Sequence, residues 1–296
     1  MKKGTKILLA IGIILLAVGA TMVNIAHGRG ERPGAGFKAG FELFGGGLQS
    51  GYTLCESGEV SFDPAEVKSL DVDWSSGSVT VLPYDGDELL VSEYASSRLS
   101  ESQRLRWRLS GGRLSILCCA QNRLQLADKD LSVFVPEGWI AESVELDGAS
   151  ADISLSQLSV RGDLRVDTGS GDVFLMDLRA DRVEVDGASA WIYLSALACG
   201  ELDLDTASGG IMAEELVCGG VSADSASGDV YLDFAEAPRA VEADTASGDV
   251  TLVFPDGTGI ALDFDPGSGK LYGEFQSGRL PVEVDTGSGD LIIGYR

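Results

Sequence analysis

Histidine, aromatic side chains and positive charge are all scarce in this sequence of 296 residues. Its one histidine is His27, which excludes catalytic arrangements of the Ser-His-Asp or Cys-His type from the rest of the chain. Aromatic residues make up 7% of the chain, whereas 39 residues are glycine. A core drawn mainly from Val, Leu, Ile and Ala, with many glycines for turns, favours short strands over long helices.

The deficit of positive charge excludes one class of partner. The chain has 22 basic and 46 acidic residues, which gives a formal net charge of −24. A surface of this charge repels the phosphates of nucleic acids and the headgroups of anionic lipids. We therefore expect no nucleic-acid partner.

The longest apolar run lies near the N-terminus, at Ile7–Val23, and its 17 residues reach the lower limit for a membrane-spanning helix. Three lysines precede the run, which predicts a cytoplasmic N-terminus and an extracytoplasmic remainder at the cell membrane. A retained signal anchor is favoured because the following residues offer a poor cleavage site, and a cleaved signal peptide is the alternative. Residues 1–27 are thus predicted to be a cytoplasmic tip and transmembrane helix, and the Gly-rich residues 28–59 a tether.

A repeat of 19 to 21 residues occupies the C-terminal half, residues 147–296. Each copy has an Asp, two small residues and a Ser before a β-branched or apolar residue, as in DTASGDV from Asp244. The copies begin at Asp147, Asp167, Asp186, Asp205, Asp224, Asp244, Asp265 and Asp285. A fixed period near 20 residues is typical of a solenoid, in which each unit stacks on its neighbours.

Two short stretches of alternating apolar residues flank each corner. Apolar residues or Ala lie three and one positions before the Asp, and apolar residues recur six and eight positions after it in most copies. Alternation of this kind predicts strands with one buried face, so Val173, Val230 and Val250 should share one buried stack. The fold class is therefore all-β, a parallel β-solenoid of about eight coils. It is preceded by the transmembrane helix and by an irregular β section over residues 60–146, which contains a ninth copy at Asp73.

The conserved spacing within each copy suggests how the corner forms. Glycine four positions after the Asp supplies a permissive backbone, and Asp and Ser side chains are suited to bonding turn N–H groups. The Ser three positions after the Asp is present in all eight copies, which predicts a ladder of hydroxyl groups along the stack.

Several residues of the repeats are candidates for binding chemistry. A further Asp five positions after the first in most copies invites a weak divalent-cation ladder, but capping of the turn by carboxylates is the favoured interpretation. Trp191 and Lys270 replace that Asp in two copies, and Trp191 is interpreted as ordinary packing rather than a sugar platform. Cys199 and Cys218 lie at equivalent positions of consecutive copies, where either a disulfide or two buried thiols would fit.

The repeats and two upstream segments resemble a bacterial family of uncharacterised envelope proteins known as putative adhesins, found beside Lia-type envelope-stress systems. The resemblance rests on DTGSGDV and DTASGDV in the repeats, with VDWSSGSVTVLP and LSVFVPEGW upstream, and extends over residues 60–296. It implies an interaction role in the envelope. It assigns no active site, so no catalytic, cofactor-binding or metal-binding residue and no cofactor is predicted.

The function expected from these features is that of a membrane-anchored, extracytoplasmic binding or sensing module, adhesin-like or related to envelope stress. Its partner would be another envelope protein, a cell-wall polymer or a cationic peptide. A carbohydrate-active β-helix enzyme acting on a cell-wall or extracellular polysaccharide is the alternative. A catalytic carboxylate pair should interrupt the repeat, whereas these Asp residues constitute it, so the chain is predicted not to be an enzyme.

The last expectation concerns the C-terminal strand of the solenoid. Only Arg296 follows the strand Asp290–Tyr295, so this strand should form the uncovered final rung. An uncovered edge exposes unpaired backbone groups, which predicts either contact there with a partner or a second copy, or steric protection by Tyr295 and Arg296.

Overall fold

A computed structural model describes residues 51–119 and 128–296, and these residues form an all-β structure. Within these two ranges, no helix is long and apolar enough to cross a membrane. The predicted anchor at residues 1–27 lies outside the described residues, as does the tether up to residue 50.

An irregular section precedes the repeats. Its strands are β1 Thr53–Leu54, β2 Glu59–Phe62, β3 Ser69–Tyr84, β4 Leu89–Ala95, β5 Arg106–Ser110, β6 Arg113–Leu117, β7 Lys129–Pro136 and β8 Ile140–Ala141, with one 3-10 turn at Glu101–Gln103. Strand β1 pairs with β5, and Cys55 beside it is buried. The end of the segment interpreted as a tether, residues 53–59, is therefore part of the folded structure.

The repeats supply the remaining strands. These are β9 Ser143–Val160, β10 Asp163–Thr168, β11 Val173–Gly187, β12 Ile192–Thr206, β13 Ile211–Ser225, β14 Val230–Phe234, β15 Ala240–Thr245, β16 Val250–Phe254, β17 Gly259–Pro266, β18 Leu271–Tyr272, β19 Gln276–Ser277, β20 Leu280–Thr286 and β21 Leu291–Tyr295. The repeat strands pair in parallel, and equivalent residues of neighbouring coils lie opposite each other. The predicted parallel β-solenoid is confirmed.

The core is the space between two stacks of strands. The first stack holds the residues up to each Asp, and the second stack holds the residues after the corner. Val173, Val230 and Val250 are at most 1% exposed, and Val230 pairs with Val250 directly. Their predicted burial in one stack is confirmed.

A second corner bends the long strands between the two stacks. The residue ten positions after the Asp is left-handed in four successive coils, with φ between 53° and 56° at Gln157, Asp177, Ala196 and Glu215. A non-glycine residue in this region is uncommon and marks a forced bend. The Leu that follows in each of these coils is buried, so the bend turns an apolar side chain into the core.

The order of the coils departs from the order of the sequence at the C-terminal end. Strand β20 lies between β15 and β17, and β21 lies between β16 and β18. The expectation that Asp290–Tyr295 forms the uncovered rung is wrong. The outermost coil of the stack is instead β17–β18, which precedes β20–β21 in sequence. Every coil presents the same apolar pattern, so the coil formed by β20 and β21 can fit between two other coils as well as at the end of the stack.

The N-terminal end shows a similar displacement. Strand β3 pairs with β9 on one side and with β6 and β7 on the other, although β6 and β7 lie between β3 and β9 in sequence. Strands β5 and β4 then cover β6 and β7 in antiparallel pairing. This end of the solenoid closes in the short strands β1 and β2, as expected for a protected edge.

The first corner is built by the residue after the Asp rather than by the Asp itself. Thr168, Thr206, Ser225 and Thr245 are buried, and the hydroxyl of each accepts a hydrogen bond of 2.8–3.2 Å from the N–H three residues later. Each N–H belongs to the corner glycine. The sequence interpretation assigned this role to Asp and Ser, whose side chains lie on the outside of the corner.

The corner glycines are needed for close approach between coils. A Cβ at Gly228 would overlap the carbonyl oxygen of Gly209, and a Cβ at Gly248 would overlap that of Gly228. Neither glycine has a positive φ. Conformational freedom is therefore not the reason for glycine here, because the limit is the distance between stacked backbones.

Replacement of Thr206 by Val should test the corner hydroxyl. Thr206 Oγ1 accepts from the Gly209 N–H and donates to the Ala190 carbonyl, and Val has nearly the same shape. The buried N–H would lose its partner, so the free energy of unfolding should fall by about 1–3 kcal/mol in chemical denaturation. Thr206→Ser keeps the hydroxyl and should lose clearly less. Equal losses in the two variants would contradict this account of the corner.

Candidate functional site

A groove runs along the first corner of seven coils, and we call it the corner groove. Its volume is 790 Å³. One row of lining residues consists of the repeat Asp residues Asp167, Asp186, Asp205, Asp224, Asp244, Asp285 and Asp265. The other rows are the corner Thr and Ser residues and the small residues that follow them.

The repeat itself creates this groove. Each Asp ends a first-stack strand with its side chain on the outward face, because the preceding residue points into the core. The residue two positions later is Ala or Gly in all seven coils, so no side chain fills the space beside the carboxylates. Six steps between stacked strands make the row about 29 Å long at about 4.8 Å per step.

Burial, together with repulsion from neighbouring carboxylates, raises the pKa of Asp186 and Asp224 in the row and of Asp147 next to it. Burial raises the pKa of Asp186 to about 6, with Asp205 and Glu184 as further negative neighbours. Burial likewise raises the pKa of Asp224 to about 6, and Asp205 and Asp244 add to the effect. Just beyond the groove, burial and then Glu145 and Asp167 raise the pKa of Asp147 to about 7.

Asp224 has the least support of the row. Its Oδ1 atom is buried, and no group among the described residues donates a hydrogen bond to it. An unpaired buried acceptor is costly, and a donor brought by a ligand would remove that cost. Asp224 lies near the middle of the groove, between Asp205 and Asp244.

The second Asp of the repeat has a different role. Asp152 accepts a hydrogen bond from the backbone N–H of Asp172, and Asp229, Asp249 and Asp290 do the same for the next coil in the stack, at 2.8–3.1 Å. These carboxylates cap neighbouring coils, as the favoured interpretation expected. Among residues 51–119 and 128–296, no group of three or more His, Cys, Asp or Glu side chains is arranged to hold a metal ion.

The predicted ladder of Ser hydroxyls is present, but its bonds go mainly to backbone. Ser208, Ser227 and Ser247 each donate to a carbonyl oxygen of the adjacent coil at 3.3–3.4 Å. Ser208 also contacts Ser189 at 3.2 Å between hydroxyl oxygens. These exposed bonds tie neighbouring corners together along the outside of the groove.

Trp191 packs on the coil next to its own. A Cβ at Gly210 would come within 3.1 Å of the indole ring, so the ring covers that glycine. The backbone N–H of Trp191 donates to the Asp172 carboxylate at 3.0 Å, which continues the row of capping hydrogen bonds. Its contacts are those of the packing interpretation.

Cys199 and Cys218 lie opposite each other in β12 and β13, and their Sγ atoms are 2.7 Å apart. Both are free thiols in this structure, with Cys218 buried and Cys199 half-buried. The predicted stacking of these two cysteines is confirmed.

Sequence reasoning missed a buried charged cluster in the irregular section. The Lys129 ammonium group is fully buried and pairs with Glu93, which is 2% exposed. The same group donates to the Gln103 carbonyl at 2.6 Å and lies 4.6 Å from the centre of the Trp74 ring. Such a group is tolerated only when fully paired, which indicates a structural plug rather than an open site. Its members lie 10 to 55 positions apart in sequence, so no local pattern signals them.

Comparisons with known proteins agree with this architecture. The family model described as Toastrack DUF4097 matches residues 67–293. A solved structure from Bacteroides fragilis, described as a putative adhesin, is 13% identical with a TM-score of 0.51, and the match covers 80% of this chain and 96% of that one. A putative adhesin from Parabacteroides distasonis is 12% identical with a TM-score of 0.53, over 79% and 95% of the two chains. None of the curated proteins compared with this sequence matches it.

The raised pKa values predict how stability depends on pH. An unfolded Asp has a pKa of about 3.9, so between about pH 4 and pH 7 the folded chain binds more protons at Asp147, Asp186 and Asp224 than the unfolded chain does. The free energy of unfolding should therefore rise as the pH falls from 8 to 5. Chemical denaturation at four pH values measures this.

A matched pair of variants tests whether the pH dependence of stability comes from the Asp row of the corner groove. Asp224→Asn should be more stable than the unchanged chain at pH 8 and should gain less on acidification. Asp256→Asn, at an exposed loop position, should retain the full pH dependence. Stability that increases from pH 5 to pH 8 would overturn the assignment.

Proposed function

From the premise that this chain belongs to the Toastrack DUF4097 family, we propose that it is a binding module of a bacterial cell envelope and that the corner groove is its binding surface. The solved structures with this fold are described as putative adhesins, which supports a binding role. The proposal depends chiefly on one observation, the unbroken row of seven carboxylates in a groove with small side chains beside them.

The chemistry of the groove favours an extended cationic ligand. Like charges held about 4.8 Å apart repel one another, and positive groups placed along the row would relieve that repulsion. The adjacent Ala and Gly residues leave space for a chain lying lengthwise. We therefore propose a basic segment of an envelope protein or a cationic peptide as the ligand, attracted over a distance by the net charge of −24.

We also propose that the solenoid is displayed outside the cytoplasmic membrane by an N-terminal anchor. The support is the apolar run Ile7–Val23 preceded by three lysines. A surface-exposed site would place the groove where envelope partners are accessible. A role in envelope stress is part of the same proposal.

The alternative is a carbohydrate-active enzyme, and the raised pKa values give it specific support. A protonated carboxyl next to an ionised one is the arrangement of a glycosidase acid and its partner, and retaining enzymes hold the pair about 5–5.5 Å apart. The Asp residues of the row, however, occupy the same repeat position in every coil, and no carboxylate pair interrupts the repeat as a catalytic pair should. Binding therefore remains the first proposal.

Binding of a fluorescent octalysine peptide tests the first proposal. The double variant Asp205→Asn/Asp224→Asn should bind about tenfold more weakly, because two charges at the centre of the row are lost. The control Glu236→Gln/Asp256→Asn removes the same charge from exposed loops and should change the affinity less than threefold. Equal losses in the two variants would reject the groove as the site. Release of reducing ends from cell-wall polysaccharide, lost in Asp205→Asn, would favour the enzyme.

Protease treatment of intact protoplasts tests the location. The protease should cleave the solenoid from the cells while a cytoplasmic marker protein stays intact, because the proposed anchor leaves the solenoid outside the cytoplasmic membrane. Full protection of the solenoid in intact protoplasts, with cleavage after lysis, would place it in the cytoplasm instead.

A further inference from the structure

We propose that two copies of this chain associate end to end through the outer coil, β17–β18, to form a closed dimer. This goes beyond the corner groove, because the contact uses the C-terminal end of the solenoid and different residues. Four observations at that end lead to it.

The outer coil has an open strand edge. Strand β17 pairs with β19 and β20 and strand β18 pairs with β21, and no other described strand pairs with either of them. Backbone groups on the outward side of Ala261–Pro266 are therefore available to another strand. At the other end of the solenoid, antiparallel strands cover the corresponding edge.

Apolar side chains are exposed at the same end. Seven large apolar residues are exposed in the described part of the chain, and four of them belong to the last two coils of the stack. These four are Leu271, Tyr272, Phe275 and Ile292, which are 39–48% exposed. Tyr272 lies opposite Ile292, so the group is continuous across β18 and β21.

The charge of the outer coil permits a second copy to approach. Residues 259–279 contain three acidic and two basic residues, a net charge of −1, whereas residues 240–258 contain four acidic residues and no basic one. Lys270 replaces the second Asp of the repeat, and Arg279 follows in the same coil. In a two-fold contact, these basic groups can lie opposite Asp263 or Glu274 of the partner copy.

The difference between the two ends selects a dimer over a filament. Head-to-tail stacking would require a parallel edge of matching length at both ends, whereas the N-terminal end finishes in the short antiparallel strands β1 and β2. The same edge on two copies can pair only about a two-fold axis, in antiparallel fashion, which closes the assembly at two chains. The strongly acidic faces of the other coils oppose association elsewhere.

The test measures the mass of the detergent-solubilised full chain by light scattering over a concentration series. A dimer should form, and Leu271→Asp/Phe275→Asp should raise the concentration of half-dissociation at least tenfold. Tyr94→Asp/Ile140→Asp is the control, because both side chains are exposed but lie in β4 and β8. It should leave the dimer unchanged. Association through the N-terminal segments would instead leave the dimer unchanged in both double variants.

Hydrogen exchange gives an independent measurement on the unchanged protein. The amides of Ala261–Asp265 should exchange more slowly at dimer-forming concentrations than at high dilution, because their outward groups become paired. A monomer at every concentration, or a dimer whose strength is unaffected by the two C-terminal substitutions and whose β17 amides show no protection, would overturn the proposal. Absence of octalysine binding in a protein that still dimerises would contradict only the proposed function of the corner groove.

Discussion

The stacking of backbones at a corner that leaves no space for a Cβ is the constraint from which the other features follow. The carbonyl oxygen of one coil lies where a side chain of the next would begin, so the corner position is glycine in most coils. The corner N–H then needs an acceptor, which the buried Thr or Ser provides. With that residue turned inward, the Asp before it is left facing outward, once per coil, at the spacing of the stack.

The electrostatic character of the groove is a consequence of this geometry. A coil cannot move its Asp away from its neighbours without breaking the register that the corner fixes. Repulsion within the row is therefore retained in the folded state, and it adds to burial, the larger cause, in raising the pKa values of Asp186 and Asp224. A row of like charges costs stability, and a cost of this kind is typical of residues kept for function rather than for the fold.

The sequence predicts the coil well and the order of the coils poorly. Burial of Val173 and Val230 follows from the alternation of a few residues, which is local information. Placement of β20 between β15 and β17 is not local, because all coils share one apolar pattern and any two can stack. The pairing of Lys129 with Glu93 is not local either, because the two residues are far apart in sequence. Within the site, the repeat identified the Asp row, but it assigned the corner hydrogen bond to the wrong side chain, since Asp and Thr are adjacent and both can accept it.

The placement of β20 and β21 inside the stack also affects the order in which the protein can be made. Apart from its short pairing with β19, the coil containing β17 and β18 has no parallel neighbour until residues 280–295 are available, because those residues separate it from β15 and β16. Coils up to β16 can form one after another as the chain emerges from the ribosome. The outer coil must wait, with Leu271 and Phe275 unprotected, until the last strands insert. Completion of the solenoid is therefore a single late event. A chain that stops folding before β20 and β21 insert would leave the strand edges of β15–β16 and of β17–β18 unpaired.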